Sequence, residues 1–150
     1  MSRFEKVSIP ITAEEGVQVP HYASTGSSGA DVRAFIESPM TLNPGERTLI
    51  QTGLRFEIPE GYEIQVRPRS GLALKHGITV LNTPGTIDAD YRGELGVILM
   101  NLGDEPFEIT PGMRVAQLVV APVVHAEFLE SKVLAESVRD SGGFGHSGTH

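Results

Sequence analysis

The stretch ELGVILMNLGDEPFEIT, residues 94–110, shows the pattern that decides the fold. Two apolar runs, ELGVILMNL and PFEIT, are rich in Val, Ile and Leu, and the polar sequence LGDEP connects them. Branched apolar residues fit the pleated surface of a strand, whereas Gly, Asp and Pro favour turns. The stretch therefore predicts two short β-strands that are joined by a turn.

The same alternation of apolar run and turn extends along most of the chain. The other strand-like runs are VSIPI, ADVRAFI, RTLIQTGLRFEI, YEIQVR, GITVLN and VAQLVVAPVV. The turns include NPGE, PEGY, NTPG, YRGE and TPGM. Short strands at this spacing are typical of antiparallel sandwiches, barrels and jelly rolls. Because the strand–helix alternation of a parallel α/β sheet does not occur, the sequence predicts an all-β fold.

Two stretches are candidates for helix. SGLALKHG is long enough for one or two turns, with Ser70 as N-cap and Gly77 as the C-terminal stop. AEFLESKVLAES fits either a helix or a last strand with a connector. From residue 137 onward the chain is rich in Gly and Ser, which predicts a flexible tail. We therefore expect a β domain over residues 1–136 and a flexible C-terminal tail over residues 137–150.

Composition limits the class of protein. The 150 residues suit one domain, and 39% hydrophobic with 21% charged residues is typical of a globular chain. The absence of cysteine excludes disulfides and thiolate metal sites. The first residues, MSRFEKVSIPI, lack the apolar core of a signal peptide, and no apolar run approaches the roughly 20 residues of a membrane span. We therefore expect a cytoplasmic protein without a membrane partner.

Charge and absent motifs limit the chemistry. A formal net charge of −7 argues against binding a nucleic acid polymer. It permits a small anion that is held by a few arginines and a divalent cation. The sequence contains no Walker loop, no dinucleotide fingerprint, no nucleophile elbow and no histidine pair at zinc-ligand spacing. Covalent hydrolase chemistry and a zinc site therefore have no support.

The stretch GTIDADYRGEL is the first candidate for chemistry. Asp88 and Asp90 alternate within a strand-like run, so we expect both on one face of the sheet. The tight turn YRGE follows at once. One interpretation is a solvated hairpin tip, where Asp and Gly simply form the turn. The other is a rigid carboxylate that orients a water as general base or positions a cation.

Three other stretches place polar side chains beside or within predicted strands and the predicted helix. In RPRSGLALKHG, Arg69 and Ser70 precede the predicted helix, which suits either a phosphate site or a simple N-cap. In SSGADVRA, Asp31 lies at the entrance of a strand, for which an ordinary strand-edge turn is the simpler interpretation. In RVAQLVV, Arg114 and Gln117 lie within an apolar strand, and we expect Arg114 to form a structural ion pair.

Taken in order, five motifs resemble those of the trimeric dUTPase family: GADVRA, RPRSGLA, GTIDADYRGELGVILMN, RVAQL and RDSGGFGHSG. They extend from Gly29 to Gly148 and so cover nearly the whole chain. The resemblance implies a jelly-roll-like β fold that assembles as a homotrimer, with active sites at subunit interfaces. It also implies hydrolysis of dUTP to dUMP and pyrophosphate with Mg²⁺, which limits uracil in DNA and supplies the precursor of thymidylate.

The resemblance assigns the nucleoside to the third motif, its flank and the tail. Asp88 matches the residue that orients the attacking water and touches the sugar 3′-hydroxyl, whereas Asp90 is interpreted as structural. Tyr91 matches the ring that lies against deoxyribose and excludes a 2′-hydroxyl. Phe144 is expected to stack on the uracil base. The residues implied for the pocket around the base are Asn82, Gly85, Ile87 and Gly96.

The resemblance assigns the triphosphate to other motifs. Asp31 matches the carboxylate that reaches Mg²⁺ through coordinated water. Family tails often read R-G-x-G-G-F-G-S-T-G, whereas here Asp140 follows Arg139 and HSG replaces STG. The γ-phosphate contact therefore falls to Ser147 or to the imidazole of His146, and the tail is expected to close as a lid over a neighbour's pocket. The residues implied for phosphate binding are Arg69, Ser70, Gly71, Gln117, Arg139 and Ser147.

Two other functions are compatible with the same scaffold. A dCTP deaminase would carry a catalytic Glu where this chain has Ile98, and an isoleucine cannot transfer protons. A non-catalytic nucleotide-binding module has no need of the water-orienting Asp88, which this chain retains. The sequence therefore favours dUTP hydrolysis over both alternatives.

Overall fold

The strands form largely where the apolar runs predict them. The computed structural model describes residues 4–150, so the first three residues of the predicted β domain lie outside the described residues. Residues 4–150 contain twelve strands and one helix. In chain order they are β1 (Ile11–Ala13), β2 (His21–Tyr22), β3 (Ala30–Arg33), β4 (Met40–Leu42), β5 (Arg47–Gln51), β6 (Leu54–Phe56), β7 (Tyr62–Arg67), α1 (Ser70–His76), β8 (Ile78–Val80), β9 (Gly85–Ile87), β10 (Gly96–Asn101), β11 (Phe107–Ile109) and β12 (Arg114–Pro122).

The strands assemble into small antiparallel sheets. The largest has the order β2-β3-β12-β7-β9, and a three-stranded sheet has the order β5-β10-β8. Two further pairs, β1-β6 and β11-β4, complete the fold. All of these pairings are antiparallel. The predicted all-β, jelly-roll-like fold with one short helix is thereby confirmed.

The two strands of residues 94–110 form as predicted, but in different sheets. β10 pairs with β5 and β8, whereas β11 pairs with β4. Along β10 the inward side chains alternate, and Val97, Leu99 and Asn101 are all buried. The Asn101 amide nitrogen donates to the carbonyls of Leu42 (2.9 Å) and Glu105 (2.8 Å), so this buried polar group is satisfied. Asn101 therefore fixes the turn where the chain leaves one sheet for the other.

The helix differs from the prediction at its start. Arg69, rather than Ser70, is the N-cap residue, with extended backbone dihedrals of φ −92° and ψ 130°. Ser70 is the first helical residue, because the Arg69 carbonyl already accepts the first helical bond, from Ala73 N–H at 3.1 Å. The preceding residue, Pro68, fixes its own φ and has no N–H, which suits an extended entry. Gly77 ends the helix in the left-handed conformation at φ 68°, as predicted.

The C-terminal segment, residues 123–150, departs from the sheets. The stretch AEFLESKVLAES is neither helix nor strand and lies exposed as a connector. No helix within residues 4–150 is long and apolar enough to cross a membrane. That residues 137–150 are flexible stays a prediction. The segment carries a series of exposed apolar side chains, namely Val124, Phe128, Leu129, Val133, Leu134, Val138 and Phe144.

Candidate active site

Polar side chains from three motifs meet in a network that we call the ionic cluster: Asp31, Arg69, Arg114 and Gln117. Arg69 Nε lies 3.2 Å from Asp31 Oδ1, and Arg114 Nη1 lies 3.2 Å from Asp31 Oδ2. The Asp31 side chain is only 14% exposed, whereas those of Arg69 and Arg114 are 28% and 43% exposed. Two guanidinium groups against one carboxylate leave a net positive charge, so the cluster suits an anion. The predicted ion pair of Arg114 is confirmed, and its partner is Asp31.

Gln117 connects the ionic cluster to the loop before the helix. On β12 it pairs with Asp31 of β3, and its Nε2 donates to the Pro68 carbonyl at 2.9 Å. A Cβ on Gly29 would lie 2.9 Å from Gln117 Cδ and closer still to Oε1. Non-bonded carbon atoms prefer about 3.5–4.0 Å, so only glycine leaves this space for the Gln117 side chain. Gly29 and Gln117 together therefore fix the loop that carries Arg69.

Ser70 and Gly71 occupy the first turn of α1, directly after Arg69, and both are exposed. Among the described residues, no side chain caps this helix end. A Cβ on Gly71 would meet nothing within 4 Å, so packing does not demand a glycine there. The first turn of a helix presents backbone N–H groups without intrahelical partners. The turn therefore offers backbone donors beside the Arg69 guanidinium.

A second group of predicted residues lines a cavity of about 390 Å³, which we call the β9–β10 pocket. It lies between the edge strand β9 and the three-stranded sheet that contains β10. Neither Asp31 nor any other member of the ionic cluster lines it. The predicted residues that line it are Asn82, Gly85, Ile87, Tyr91 and Gly96.

The wall formed by β9 is a free sheet edge. β9 pairs with β7 alone, as the last strand of the five-stranded sheet. The other edge of an outer strand carries backbone N–H and C=O groups that no neighbouring strand uses. Next to it, a Cβ on Gly85 would lie 3.3 Å from the Asn82 amide nitrogen. The pocket therefore offers backbone and amide groups to a planar ligand that has adjacent donors and acceptors.

The prediction that Asp88 and Asp90 lie on one face of a strand is wrong. β9 ends at Ile87, and both aspartates are exposed in the turn that follows. The Tyr91 N–H donates to the Asp88 carbonyl at 3.2 Å and closes this turn. In DADYRG the aspartates and the glycine outnumber the apolar residues, so turn-forming residues prevail.

Asp88 faces a cavity separate from the β9–β10 pocket. This cavity has a volume of about 700 Å³ and is rich in acidic groups. Among residues 4–150, the Asp88 side chain forms no hydrogen bond or ion pair, so its carboxylate is available to a water molecule. The acidic and basic residues that line the cavity are Glu60, Glu63, Asp88, Asp90, Arg92 and His125.

Tyr91 folds back over its own turn. Its hydroxyl donates to the Glu94 carbonyl at 2.9 Å, and the ring lines the β9–β10 pocket while remaining 48% exposed. A Cβ on Gly93 would lie 2.6 Å from Tyr91 Cζ. The turn therefore holds an aromatic ring at the mouth of the pocket, where it can pack against a ligand.

The predicted tail residues do not meet the other two groups. Arg139 Nε donates to the Gly142 carbonyl at 2.5 Å, within its own turn. Phe144 is fully exposed and Ser147 is exposed. No tail residue lines the β9–β10 pocket or the Asp88 cavity. Within the described chain, the tail thus stands apart from the groups that we expect it to serve.

Sequence reasoning missed several residues that line the β9–β10 pocket. Leu49 and Gln51 come from β5, whose proximity follows only from its pairing with β10. Glu94 belongs to the turn YRGE, and its Oε2 is buried without a hydrogen-bond partner among the described residues. The turn sequence YRGE alone does not indicate that Glu94 lines a pocket. The other residues missed are Val66, Val80, Thr86 and Ile98.

The residues present fit a metal only through water. Among residues 4–150, no group of three His, Cys, Asp or Glu side chains is placed to hold an ion. Both Asp31 oxygens contact arginines, yet each carboxylate oxygen has a second lone pair. Asp31 can therefore accept a hydrogen bond from a metal-bound water. Mg²⁺ often keeps such waters and takes its direct ligands from substrate phosphates.

Comparison with known proteins adds independent evidence. The model of the dUTPase family matches residues 15–148. The deoxyuridine 5′-triphosphate nucleotidohydrolase of Chlamydia pneumoniae is 62% identical over 136 residues, covering 90% of this chain and 94% of the relative. The enzyme of the same name from Roseobacter denitrificans is 61% identical over 137 residues, covering 91% of this chain and 90% of the relative.

Solved structures agree with this result. The dUTPase of Staphylococcus bacteriophage 80alpha with dUPNHPP has a TM-score of 0.83 and 26% identity, and the match covers 96% of this chain and all of that one. A mutant dUTPase of phage phi11 of S. aureus, which coordinates a structural Mg(II) ion, has a TM-score of 0.75 and 23% identity over 85% of this chain and 98% of that one. Sequence model, relatives and fold agree, and the chain therefore belongs to the dUTPase family of deoxyuridine 5′-triphosphate nucleotidohydrolases.

Proposed function

We propose that this member of the dUTPase family hydrolyses dUTP by in-line attack of water on the α-phosphorus, with Asp88 as the group that orients and deprotonates the water. The observation that carries the proposal is the β9–β10 pocket, because five residues assigned to the nucleoside line one cavity. Asp88 follows directly after β9, one wall of that pocket. A nucleoside in the pocket would therefore have its sugar and α-phosphate near the Asp88 turn.

Uracil is recognised by the free edge of β9 together with Asn82. Uracil presents an acceptor, a donor and an acceptor along one side, and a strand edge presents complementary backbone groups. Cytosine presents the reverse pattern at its 4-position and N3, so it would leave buried groups unpaired. The apolar walls, including Val66 and Ile98, restrict the space for a 5-methyl group and so disfavour thymine.

The sugar is read by Tyr91. Its ring lies at the pocket mouth, held by the hydrogen bond to the Glu94 carbonyl. Deoxyribose can pack against this ring, whereas a 2′-hydroxyl would clash with it. This contact distinguishes dUTP from UTP.

The phosphate chain binds at the ionic cluster and at the first turn of α1. The guanidinium of Arg69 and the backbone of Ser70 and Gly71 supply donors, and Gln117 holds their loop. Arg114 shares Asp31 with Arg69, which keeps the cluster ordered without an anion. Charge that develops on the leaving group is stabilised by these fixed donors.

The chemical step exchanges one phosphorus–oxygen bond for another. The water oxygen forms a bond to the α-phosphorus while the bond from that phosphorus to the bridging oxygen of the β-phosphate breaks. The water proton goes to the Asp88 carboxylate, and pyrophosphate leaves with the bonding electron pair. No covalent intermediate with the enzyme is formed.

Asp31 would hold Mg²⁺ through coordinated water, beside the phosphate chain. When bound, Mg²⁺ neutralises part of the phosphate charge. The phage phi11 relative coordinates a structural Mg(II) ion, which supports a role for this ion in the family. We therefore predict that the activity of this chain requires a divalent cation and that Mg²⁺ restores the activity after chelation.

The active sites lie between the subunits of a homotrimer, and the tail of one chain closes over the pocket of another. This proposal rests on one observation: within one chain, the ionic cluster, the Asp88 turn and the tail do not line a common cavity. The exposed apolar side chains before the tail support it, because such a series is costly in water unless a partner covers it. In this closed state Arg139 and Ser147 contact the γ-phosphate and Phe144 stacks on uracil.

The deciding experiment is a turnover assay with four nucleotides. Pyrophosphate release from dUTP, dTTP, dCTP and UTP would be measured in Mg²⁺, and we expect dUTP to be strongly preferred. Equal rates for all four would contradict the proposed specificity. Ammonia release from dCTP would instead indicate a deaminase. Sedimentation equilibrium of the same preparation would test the trimer.

A further inference from the structure

We propose that Gly93 is a specificity-determining positioning residue, which discriminates against ribonucleotides by leaving room for the Tyr91 ring. The inference rests on the proposed role of Tyr91 and adds the cause of the ring's position. Gly93 itself lines neither the β9–β10 pocket nor the Asp88 cavity, so it acts through Tyr91 rather than through the substrate.

The space above Gly93 is filled by the Tyr91 ring. An added Cβ would lie 2.6 Å from Cζ and 2.9 Å from Cε2 of that ring, and closer still to the hydroxyl oxygen. Carbon atoms that are not bonded prefer about 3.5–4.0 Å, so these contacts are strongly repulsive. An aromatic ring is rigid, and it can relieve the overlap only by rotating away as a unit.

The ring's position also depends on the Tyr91–Glu94 hydrogen bond. The hydroxyl of Tyr91 spans the turn and donates to the Glu94 carbonyl at 2.9 Å, directly over Gly93. A side chain at Gly93 would separate donor from acceptor. The ring would then lose both its space and its anchor, and with them its fixed position at the pocket mouth.

Replacing Gly93 by alanine tests the steric contact with the Tyr91 ring without straining the backbone. The backbone of Gly93 is not in the left-handed region, unlike that of glycines such as Gly53 and Gly77. Alanine can adopt the same dihedrals, so the substitution adds only a methyl group against Tyr91. Gly26 is a matched control, since it too lacks a positive φ and a Cβ there would meet nothing within 4 Å.

The test is a comparison of kcat/KM for dUTP and UTP in Gly93→Ala, Gly26→Ala, Tyr91→Ala and the double variant Gly93→Ala/Tyr91→Ala. Gly93→Ala is expected to lower the dUTP over UTP preference by roughly 10- to 100-fold, the range in which a pocket reads one hydroxyl. Gly26→Ala should keep the wild-type preference. Preference for dUTP over dCTP should change little in Gly93→Ala, because β9 and Asn82 are untouched.

The double variant separates positioning from general damage. If Gly93 acts only through Tyr91, adding Gly93→Ala to Tyr91→Ala should have no further effect on the dUTP/UTP ratio. An equal fall of kcat/KM for both nucleotides in Gly93→Ala would overturn the inference, and so would a further loss of preference in the double variant. The double variant lacks the overlap with the ring, so it remains informative even if Gly93→Ala folds poorly.

Failure of the inference can be told from failure of the proposed function. If Tyr91→Ala changes the dUTP/UTP ratio and Gly93→Ala does not, Tyr91 reads the sugar but Gly93 does not position it. If neither variant changes the ratio, the sugar is read elsewhere and the proposed role of Tyr91 is wrong. If the wild-type chain releases pyrophosphate from none of the nucleotides, the proposed function itself is wrong.

Discussion

The ionic cluster and the β9–β10 pocket are built in opposite ways. In the cluster, side chains hold one another: Asp31 pairs with Arg69 and Arg114, and Gln117 binds the Pro68 carbonyl. The pocket is formed mainly by backbone, apolar walls and a free strand edge. A charged ligand group can replace an existing ionic partner, whereas a flat base must find backbone groups that are already free. We propose that charge is recognised by side chains and the base by backbone groups.

Asp88 follows directly after β9, and its replacement should have the largest effect. Asp88→Asn removes the base with little change in shape, so we expect kcat to fall by about 10²- to 10⁴-fold, the usual contribution of a general base. Binding of a non-hydrolysable dUTP analogue, measured by calorimetry, should change little. Asp90→Asn is the matched control, since Asp90 lies in the same turn. A comparable loss in Asp90→Asn, or loss of binding in Asp88→Asn, would contradict the assignment.

Deleting residues 137–150 tests whether both regions need the tail. The hydrogen bonds within the tail are local, such as Gly142 N–H to the Arg139 carbonyl at 3.1 Å. The melting temperature should therefore stay near that of the full chain. We expect kcat/KM for dUTP to fall about 100-fold, because an open site misplaces the phosphate chain. Full activity of the truncated chain would rule out the lid.

Within the tail, two substitutions separate the regions that it serves. Phe144→Ala should weaken binding of all three nucleotides through the base, whereas Arg139→Ala should weaken binding only of the ligand that carries a γ-phosphate. Affinities for dUMP, dUDP and dUTP analogues would show this. Identical losses for all three ligands in both variants would argue against separate roles.

The ionic cluster should distinguish its two arginines. Arg69→Ala removes a proposed phosphate donor, and we expect roughly 10- to 100-fold weaker binding of dUTP, as for a hydrogen bond to a charged group. Arg114→Ala removes mainly a partner of Asp31 and should cost less. Rising salt should weaken wild-type binding and have a smaller effect on Arg69→Ala. Equal losses of dUTP affinity in the two variants would show that the two arginines act together rather than in separate roles.

The smallest expected effect concerns Gly29. Gly29→Ala should displace the Gln117 side chain and loosen the Arg69 loop, raising KM for dUTP by about 10-fold or less, the value of one net hydrogen bond. The double variant Gly29→Ala/Gln117→Ala should bind no worse than Gln117→Ala alone, because the overlap is then gone. A further loss in the double variant would show that Gly29 has another role.

The sequence predicted the strands better than it predicted their neighbours. The runs around Val97 and Leu118 are rich in Val, Ile and Leu, and they form strands as expected. Pairing between distant runs is not visible in such patterns, so Leu49 of β5 was not connected with the pocket. The motifs did locate Asp31, Arg69 and Gln117, which lie far apart along the chain and meet because β12 pairs with both β3 and β7.

Local conformation was the weaker part of the prediction. The alternation of Asp88 and Asp90 resembled that of a strand. The strand β9 contains only the three residues Gly85–Ile87, and the turn begins directly after it. Ser70 was favoured as N-cap on its residue type, whereas the extended backbone of Arg69 after Pro68 takes that position. In both cases the residue type alone did not fix where the strand ends or where the helix begins.

The shortness of β9 has a consequence for aggregation. An unpaired sheet edge is a template on which another chain can add a strand, and most proteins keep such edges short or covered. β9 has three residues and ends at a turn that carries two aspartates. Such an edge is too short for a stable intermolecular ladder, yet it is long enough to pair with one base. A substitution that extended β9 past Asp88 would therefore risk fibre-like association as well as loss of the Asp88 turn.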